Sequence, residues 1–336
     1  MNLDVPLRQT LTSGSRVEQI SQDVAMILPP PPRTIAQRLI PRSNSYLFFG
    51  PEIALVDAGA SFEDMDTVCR AFHRRIDDLG RVILTHYHVD HNYSTGDVHK
   101  ITGAEITMHA RDRKYGEDLP NILRSVGLAS SRKASTWYVQ AVEGMGFKPY
   151  EVNSVFRGGD RVQAGDRTLR VKHTPGHTPG HCIFLLENQP LAFTGDITFS
   201  HLGPWYGTKI SDLSKTIQSI QQVIDLDLSA AFPGHGMAVR QRVSTRLARF
   251  LQVIHDRNRR IMQELSRKEM TLKEISRMQI VVGGPHEMTS FWETEAVKKH
   301  LKFLRGKGIV ECRTRNSEAL WRLTSKGLGE LKLRLR

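Results

Sequence analysis

At 336 residues the chain exceeds the roughly 250 to 300 residues at which a single hydrophobic core stops growing, so two domains are expected. With 39% hydrophobic and 24% charged residues it has the makeup of an ordered globular protein and not of a disordered one. Its longest apolar runs, such as Val24–Leu28, fall far short of the about 20 residues that cross a bilayer. No basic and then apolar leader opens the chain, so no membrane association and a cytoplasmic location are expected.

The net charge of +12 is unevenly placed. From Arg240 onward there are 23 Lys and Arg against 10 Asp and Glu, whereas residues 1–239 hold 24 against 25. A basic tail of this kind suits an anionic partner such as nucleic acid, or simply a solvated surface. Cys69, Cys182 and Cys312 lie far apart without a CxxC pair, which reads as packed thiols and not as a disulfide framework or thiolate metal site.

In chain order, residues 45–49, 53–56, 82–85 and 105–108 are short apolar runs bounded by turn formers, and read as strands. Residues 62–79 place Met65, Val68, Cys69, Phe72 and Ile76 at helical spacing, predicting one helix with a buried face. Pro29 to Pro32 read as a stiff extended segment. Residues 111–150 mix charge with helical apolar spacing at Leu119, Ile122, Leu123 and Val126, and again at Trp137, Val139, Val142 and Met145; a helical insertion that covers a site is expected. Strand signals return at 169–172, 182–186, 191–194 and 230–232, with a helix at 211–223 capped by Ser211 or Asp212. Beyond residue 240 comes a long basic helix with Val243, Leu247, Phe250, Leu251, Ile254, Ile261, Met262 and Leu265 on one face. A short helix at 272–278, a break at 283–285, a helix at 293–304 and strands at 309–313 and 319–323 follow, an order similar to a winged helix-turn-helix.

The chemistry concentrates after the strand at 82–85, in Thr85-His86-Tyr87-His88-Val89-Asp90-His91. Imidazole and carboxylate ligands this dense suit Zn(II), and also Fe or Mn. Three more strand ends present a ligand from a Gly-rich turn: Thr174-Pro175-Gly176-His177, Thr194-Gly195-Asp196 and Pro233-Gly234-His235-Gly236. Five His and two Asp are enough for two metals, which together can acidify a water and stabilise attacked and leaving oxygens. His173 and His181 flank His177 and are expected to support it; His109 is expected to be packed or on the surface.

This set of motifs resembles the metallo-β-lactamase superfamily of hydrolases over roughly residues 20–240. The resemblance implies an α+β fold, an αββα sandwich with a helical insertion at about 111–150, in a catalytic domain of residues 1–240, followed by a connecting helix and basic winged-helix domain at 241–336. It further implies two Zn(II) per chain: His86, His88 and His177 on one, Asp90, His91 and His235 on the other, Asp196 bridging, and Asp57 in Val56-Asp57-Ala58-Gly59 holding a ligand in place. A bridging hydroxide oriented by Asp90 and Asp196 would be the nucleophile. After His91 many members carry a Gly pair where this chain has Asn92, Tyr93 and Ser94.

The tail is similar to that of the lactamase-beta-like protein two group, whose mammalian member is regarded as an endoribonuclease; relatives of that architecture include thioesterases. Glyoxalase II enzymes place substrate-binding Lys and Tyr in a loop comparable to residues 200–209, which points to Tyr206 for a developing oxyanion and Lys209 for an anionic group. A small anionic ester or thioester is therefore the first substrate expected, single-stranded RNA cleavage the second, and a mononuclear iron sulfur dioxygenase the third. A transcription regulator has no use for seven metal ligands. For RNA the candidate contacts are Lys298, Lys299, Lys302, Arg305 and Lys307 on the third helix of the winged domain and Arg313, Arg315 and Arg322 near the wing, and the same domain could serve oligomer formation.

Overall fold

The computed structural model describes residues 8–283 and 287–333, with α1 (Ile35–Leu39) the first of its helices. One eight-stranded sheet runs in chain order: β1 (Arg8–Thr10), β2 (Arg16–Ser21), β3 (Val24–Leu28), β4 (Ser45–Phe48), β5 (Ile53–Val56), β6 (Leu79–Leu84), β7 (Glu105–His109) and β8 (Ser154–Phe156). A five-stranded sheet follows, formed by β9 (Arg161–Ala164), β10 (Arg167–His173), β11 (Cys182–Leu186), β12 (Leu191–Gly195) and β13 (Ala230–Pro233). Strands β5 to β8 pair in parallel, as do β12 and β13; the remaining pairs in these two sheets are antiparallel.

The period of two in the strands builds a layered sandwich. Val24, Met26 and Leu28 of β3 join Cys182, Phe184 and Leu186 of β11 in one core between the sheets. Their alternates, Ala25 and Ile27, face a second core with Met65, Val68 and Cys69 of α2 (Phe62–Ala71). On the far side Ile183 and Leu185 face a third core with Leu213, Ile220 and Val223. Sheets buried on both faces explain why these strands read as continuous apolar runs.

The predicted helix at 62–79 stops at Ala71. His73 takes a left-handed φ of 56°, and Arg74 turns back to the carbonyls of Gly50 and Pro51. Phe72 stacks on Phe49 with centroids 4.2 Å apart, so tertiary packing ends the helix, and Ile76 is buried from a separate 3-10 turn. Short helices α3 (Val89–Asn92) and α4 (Thr95–Thr102) follow β6. The insertion is helical as expected, with α5 (Arg113–Gly116), α6 (Leu119–Val126) and α7 (Arg132–Gly144). Ile122, Val126, Tyr138 and Val142 bury into the same core as Tyr87 and Val89, so the insertion is built into the sandwich.

Helix α8 (Leu213–Ile224) is capped by the Asp212 side chain on the Lys215 amide. The long helix α9 (Val243–Leu265) spans two cores. Val243, Leu247, Phe250 and Ile254 cover the outer face of the five-stranded sheet; Ile261, Met262 and Leu265 meet Val297, Leu301, Leu304 and Val310. The second group lies among α10 (Leu272–Arg277), α11 (Glu287–Gly306), α12 (Ser325–Leu333) and a small sheet of β14 (Met270–Thr271), β16 (Glu318–Leu323) and β15 (Val310–Arg315) in that order. Gly283 belongs to the described residues, while positions 284 and 285 of the expected break lie outside them. Among the described residues no helix is long and apolar enough to cross a membrane.

Candidate metal centre

The ends of β5, β6, β10, β12 and β13 deliver Asp57, His86 to His91, His177, Asp196 and His235 to one edge of the sandwich. His86 Nε2, His88 Nδ1 and His177 Nε2 lie 2.8 to 3.1 Å from one another. His91 Nε2 is 2.9 Å from Asp196 Oδ1 and 3.3 Å from His235 Nε2, and His235 Nε2 is 3.1 Å from Asp90 Oδ2. Asp196 spans the two groups, since its Oδ2 is 3.1 Å from His177 Nε2. All seven expected ligands therefore meet, and their donor atoms form groups compact enough for metal ions.

The surrounding bonds fix which nitrogen is free. His86 Nδ1 is 3.0 Å from Thr85 Oγ1, whose own proton goes to Asp57 Oδ2 at 2.8 Å. His91 Nδ1 donates to Asp57 Oδ2 at 2.7 Å, and His177 Nδ1 donates to the Trp205 carbonyl at 3.1 Å. A neutral imidazole has one donor and one acceptor, so His86 and His177 turn lone pairs toward each other across 3.1 Å. Facing lone pairs repel unless a cation sits among them. This donor set fits a metal such as zinc, which takes imidazole and carboxylate ligands.

The electrostatics divide the cluster. Burial, with neighbouring imidazoles, drives His86 well below its usual pKa and takes His88 down to about 3; burial also lowers His177. These three imidazoles stand neutral. Burial also opposes charge on His91 and His235, but Asp57, Asp196 and Asp90 outweigh it, holding His91 well above the usual range and His235 up to about 9. Asp90 and Asp196 are correspondingly held down by the imidazoles despite their burial. Metal entering this half must displace protons.

Two glycines are needed for close approach. A Cβ on Gly234 would sit 2.4 Å from His91 Cε1, and one on Gly176, at φ 135°, would sit 2.3 Å from the Thr216 amide nitrogen. His181 keeps the supporting place expected of it: its Nε2 accepts from the Asp196 amide at 3.0 Å and its Nδ1 is 2.9 Å from Thr174 Oγ1. His173 binds the Pro179 carbonyl at 2.9 Å and stacks on buried His109 with centroids 4.2 Å apart.

Several supporting groups had no signal in the linear pattern. Buried Asp112 accepts from Thr178 Oγ1 and the Gly180 amide, each at 2.6 Å, and from the Tyr87 amide at 3.3 Å, tying the His88 loop to the His177 loop. Burial raises its carboxyl to about 7. Asn44 Nδ2 donates to the carbonyls of Pro233 and Gly236, both at 2.8 Å, and so frames His235. Such contacts join distant segments, and no local spacing encodes them.

Tyr206 departs from its expected role. It is fully buried, and its hydroxyl is taken by Arg257 at 2.7 Å and His300 at 2.8 Å, because α9 and α11 close over this part of the loop. Lys209 is exposed, with its amide 3.4 Å from the Val126 carbonyl of the insertion. A groove of about 700 Å³, lined by Arg111, Arg113, Lys114, Tyr115, Glu117 and Pro179, opens beside the His177 loop. Tyr115 lies 5.4 Å from the Tyr87 ring, and Tyr87 lies 4.6 Å from His88.

In the C-terminal region the expected basic face is partly consumed. Lys298 pairs with Glu295, Arg322 with Glu311, and Lys299 is largely covered, with burial lowering it to about 8. Lys302, Arg305, Lys307, Arg313 and Arg315 are exposed; Lys307 lies just beyond the end of α11.

Comparison with known proteins agrees with this geometry. The sequence profile of the metallo-beta-lactamase superfamily matches residues 41–235. The lactamase-like protein notP of Aspergillus sp. (strain MF297-2) is 26% identical, covering 82% of this chain and 74% of its own. An atrochrysone carboxyl ACP thioesterase of Aspergillus fumigatus is 25% identical over 72% of this chain and 63% of its own. Among solved structures, a beta-lactamase domain protein from Burkholderia ambifaria superposes with a TM-score of 0.68 at 20% identity, covering 94% of this chain and 95% of that one.

Proposed function

The chain belongs to the metallo-beta-lactamase superfamily of metal-dependent hydrolases, and from that premise we propose that it hydrolyses a small anionic thioester or ester with two divalent ions, zinc in the first instance. His86, His88 and His177 would hold one ion and Asp90, His91 and His235 the other, with Asp196 placed between the two groups. The observation that carries this reading is the convergence of these seven side chains at one sheet edge, with the donor protons of His86, His91 and His177 already bound elsewhere. Ions bound there supply Lewis acidity and make a water acidic enough to attack at neutral pH. Asp90 and Asp196, both held ionised, would orient such a water by accepting its hydrogen bonds. Asp57 keeps the His91 ring in place through Nδ1.

A thioester is favoured because the relatives include a thioesterase, and an anionic one because Arg111 and Lys114 are exposed in the groove beside His177. Residues 241–336 form a connecting helix and a basic winged-helix domain in this reading, supported by the succession of α9, α10, α11 and the β15 and β16 hairpin. Single-strand RNA cleavage is the second reading, favoured by the exposed Lys302, Arg305, Lys307, Arg313 and Arg315.

The deciding experiment incubates the zinc-loaded full chain with a panel of acyl thioesters, with and without a phosphate, and separately with labelled single-stranded RNA. Thiol release from the phosphorylated thioesters, lost in His88→Ala, is expected. RNA cleavage lost in His88→Ala, with no thiol release from any thioester, would reverse the order of the two readings. A single iron per chain with oxygen uptake would replace both with an oxidative reaction.

A further inference from the structure

The buried stripe of α9 contains two polar members, Arg257 and Asn258, among eight apolar ones. Arg257 is 6% exposed, and its guanidinium forms no ion pair with a carboxylate among the described residues. It donates instead to the carbonyls of Pro204 at 2.9 Å, Leu202 at 2.6 Å and Val281 at 3.1 Å, and to the Tyr206 hydroxyl at 2.7 Å. The Tyr206 hydroxyl passes its proton to His300 Nε2 at 2.8 Å, and His300 Nδ1 donates to Asn258 Oδ1 at 2.7 Å. Burial and the nearby Arg257 hold His300 down to about 3, so it stays a neutral acceptor. From the same C-terminal region Trp292 packs edge-on against Trp205, with centroids 5.3 Å apart.

Three of the four residues gripped by Arg257, Leu202, Pro204 and Tyr206, lie within three positions of Trp205, whose carbonyl accepts the Nδ1 proton of His177. We propose that Arg257, acting with Tyr206, is a positioning residue of the metal centre: α9 clamps residues 202–206 so that the Trp205 carbonyl holds His177 with Nε2 free for metal. An apolar side chain could seal the same interface without removing a guanidinium from water. A five-donor fork satisfied by four acceptors instead specifies one loop geometry. Arg257 of α9 thereby supports the metal site from outside the sheets, whatever macromolecule the C-terminal region contacts. Partners that orient a ligating imidazole change metal affinity by about 10 to 100-fold.

This inference rests on His177 being a ligand, and the test separates the two. Zinc affinity by chelator competition and the visible spectrum of the cobalt-substituted full chain are measured for Arg257→Met, Arg257→Lys, Tyr206→Phe, His177→Ala and Leu301→Ala. Arg257→Met is expected to weaken metal binding about tenfold and to shift the cobalt bands, with a partial return in Arg257→Lys. Tyr206→Phe, which removes one hydroxyl and keeps the ring, shifts the bands in the same direction if Arg257→Met proves too unstable to purify. Leu301→Ala, in the C-terminal core, lowers the melting temperature and leaves affinity and spectrum as in the wild type. Arg257→Met and Tyr206→Phe proteins that melt earlier but match the wild type in affinity and spectrum would overturn the proposal. A His177→Ala protein that binds zinc like the wild type would overturn the ligand assignment beneath it.

Discussion

The sandwich keeps its decisive ionisable groups inside, and the C-terminal region keeps most of its charge outside. Asp57, His86 and His91 are fully buried in the His and Asp cluster, whereas Lys302, Arg305 and Arg313 face solvent. Inside, each group has a named partner, and its protonation follows from burial set against its neighbours. Outside, ion pairs such as Lys298 with Glu295 are screened and contribute little. The contrast teaches that the +13 of the last 97 residues marks a surface, while a nearly neutral stretch carries the chemistry. Arg257 is the exception that joins the two, a buried cation of the basic helix serving the sandwich.

That contrast can be broken at four points. The largest effect is expected for Asp196→Asn: removing the one carboxylate that spans both imidazole groups should lower zinc affinity and hydrolysis together by more than about 100-fold. Retention of both, read by metal analysis and thiol release, would mean that the two groups act independently. Next comes Asp57→Asn, which leaves all seven ligands in place but takes the negative partner from His91 Nδ1; chelator competition should show a loss of about 10 to 100-fold.

Leu247→Ala, on the fully buried face of α9, should cost about 2 to 5 kcal/mol in denaturant unfolding, since α9 closes the third core. A cost below that range would show α9 to be a loosely attached connector. The smallest effect belongs to Lys302→Glu with Arg305→Glu, two exposed side chains: thioester turnover and melting temperature should stay at wild-type values. A drop in turnover would bring the basic surface into the reaction.

Asp112 adds a pH signature within the sandwich. Its folded carboxyl, raised to about 7, keeps a proton that the unfolded chain releases near 4. The folded state therefore binds more protons between those values, so this group's contribution to stability falls as pH rises from about 4 to 7 and is level above. In the metal-free chain, Asp112→Asn should flatten that part of the curve of melting temperature against pH. An unchanged slope would show that the three donors on Asp112 already keep it ionised.

The clustered candidate ligands were legible because metal chemistry restricts residue type, and because each lies at a strand end marked by Gly, Pro or Thr. Thr174-Pro175-Gly176-His177 and Pro233-Gly234-His235 announce a turn and a ligand together. The end of α2 was not legible, since helical spacing continues through Ile76 while contacts of Phe72 and Arg74 with residues 49–51 turn the chain away. Tyr206 was misread for a similar reason: an aromatic in a loop after a ligand resembles a substrate contact until α9 and α11 are laid over it. One signal was present, the polar pair Arg257 and Asn258 at positions where the apolar stripe of α9 should continue.

By itself, then, the sequence determined the seven candidate ligands that the fold brings together, the alternation that makes two sheets buried on both faces, and the charge asymmetry of the chain. Only the tertiary structure decided which imidazole nitrogens are free, which carboxylates stay ionised, and that Asp112, Asn44 and Arg257 hold ligand loops from afar. Residue type and spacing are local properties of a chain. Protonation and orientation are set by whatever folding brings within about 3 Å, and those neighbours lie tens to hundreds of residues away.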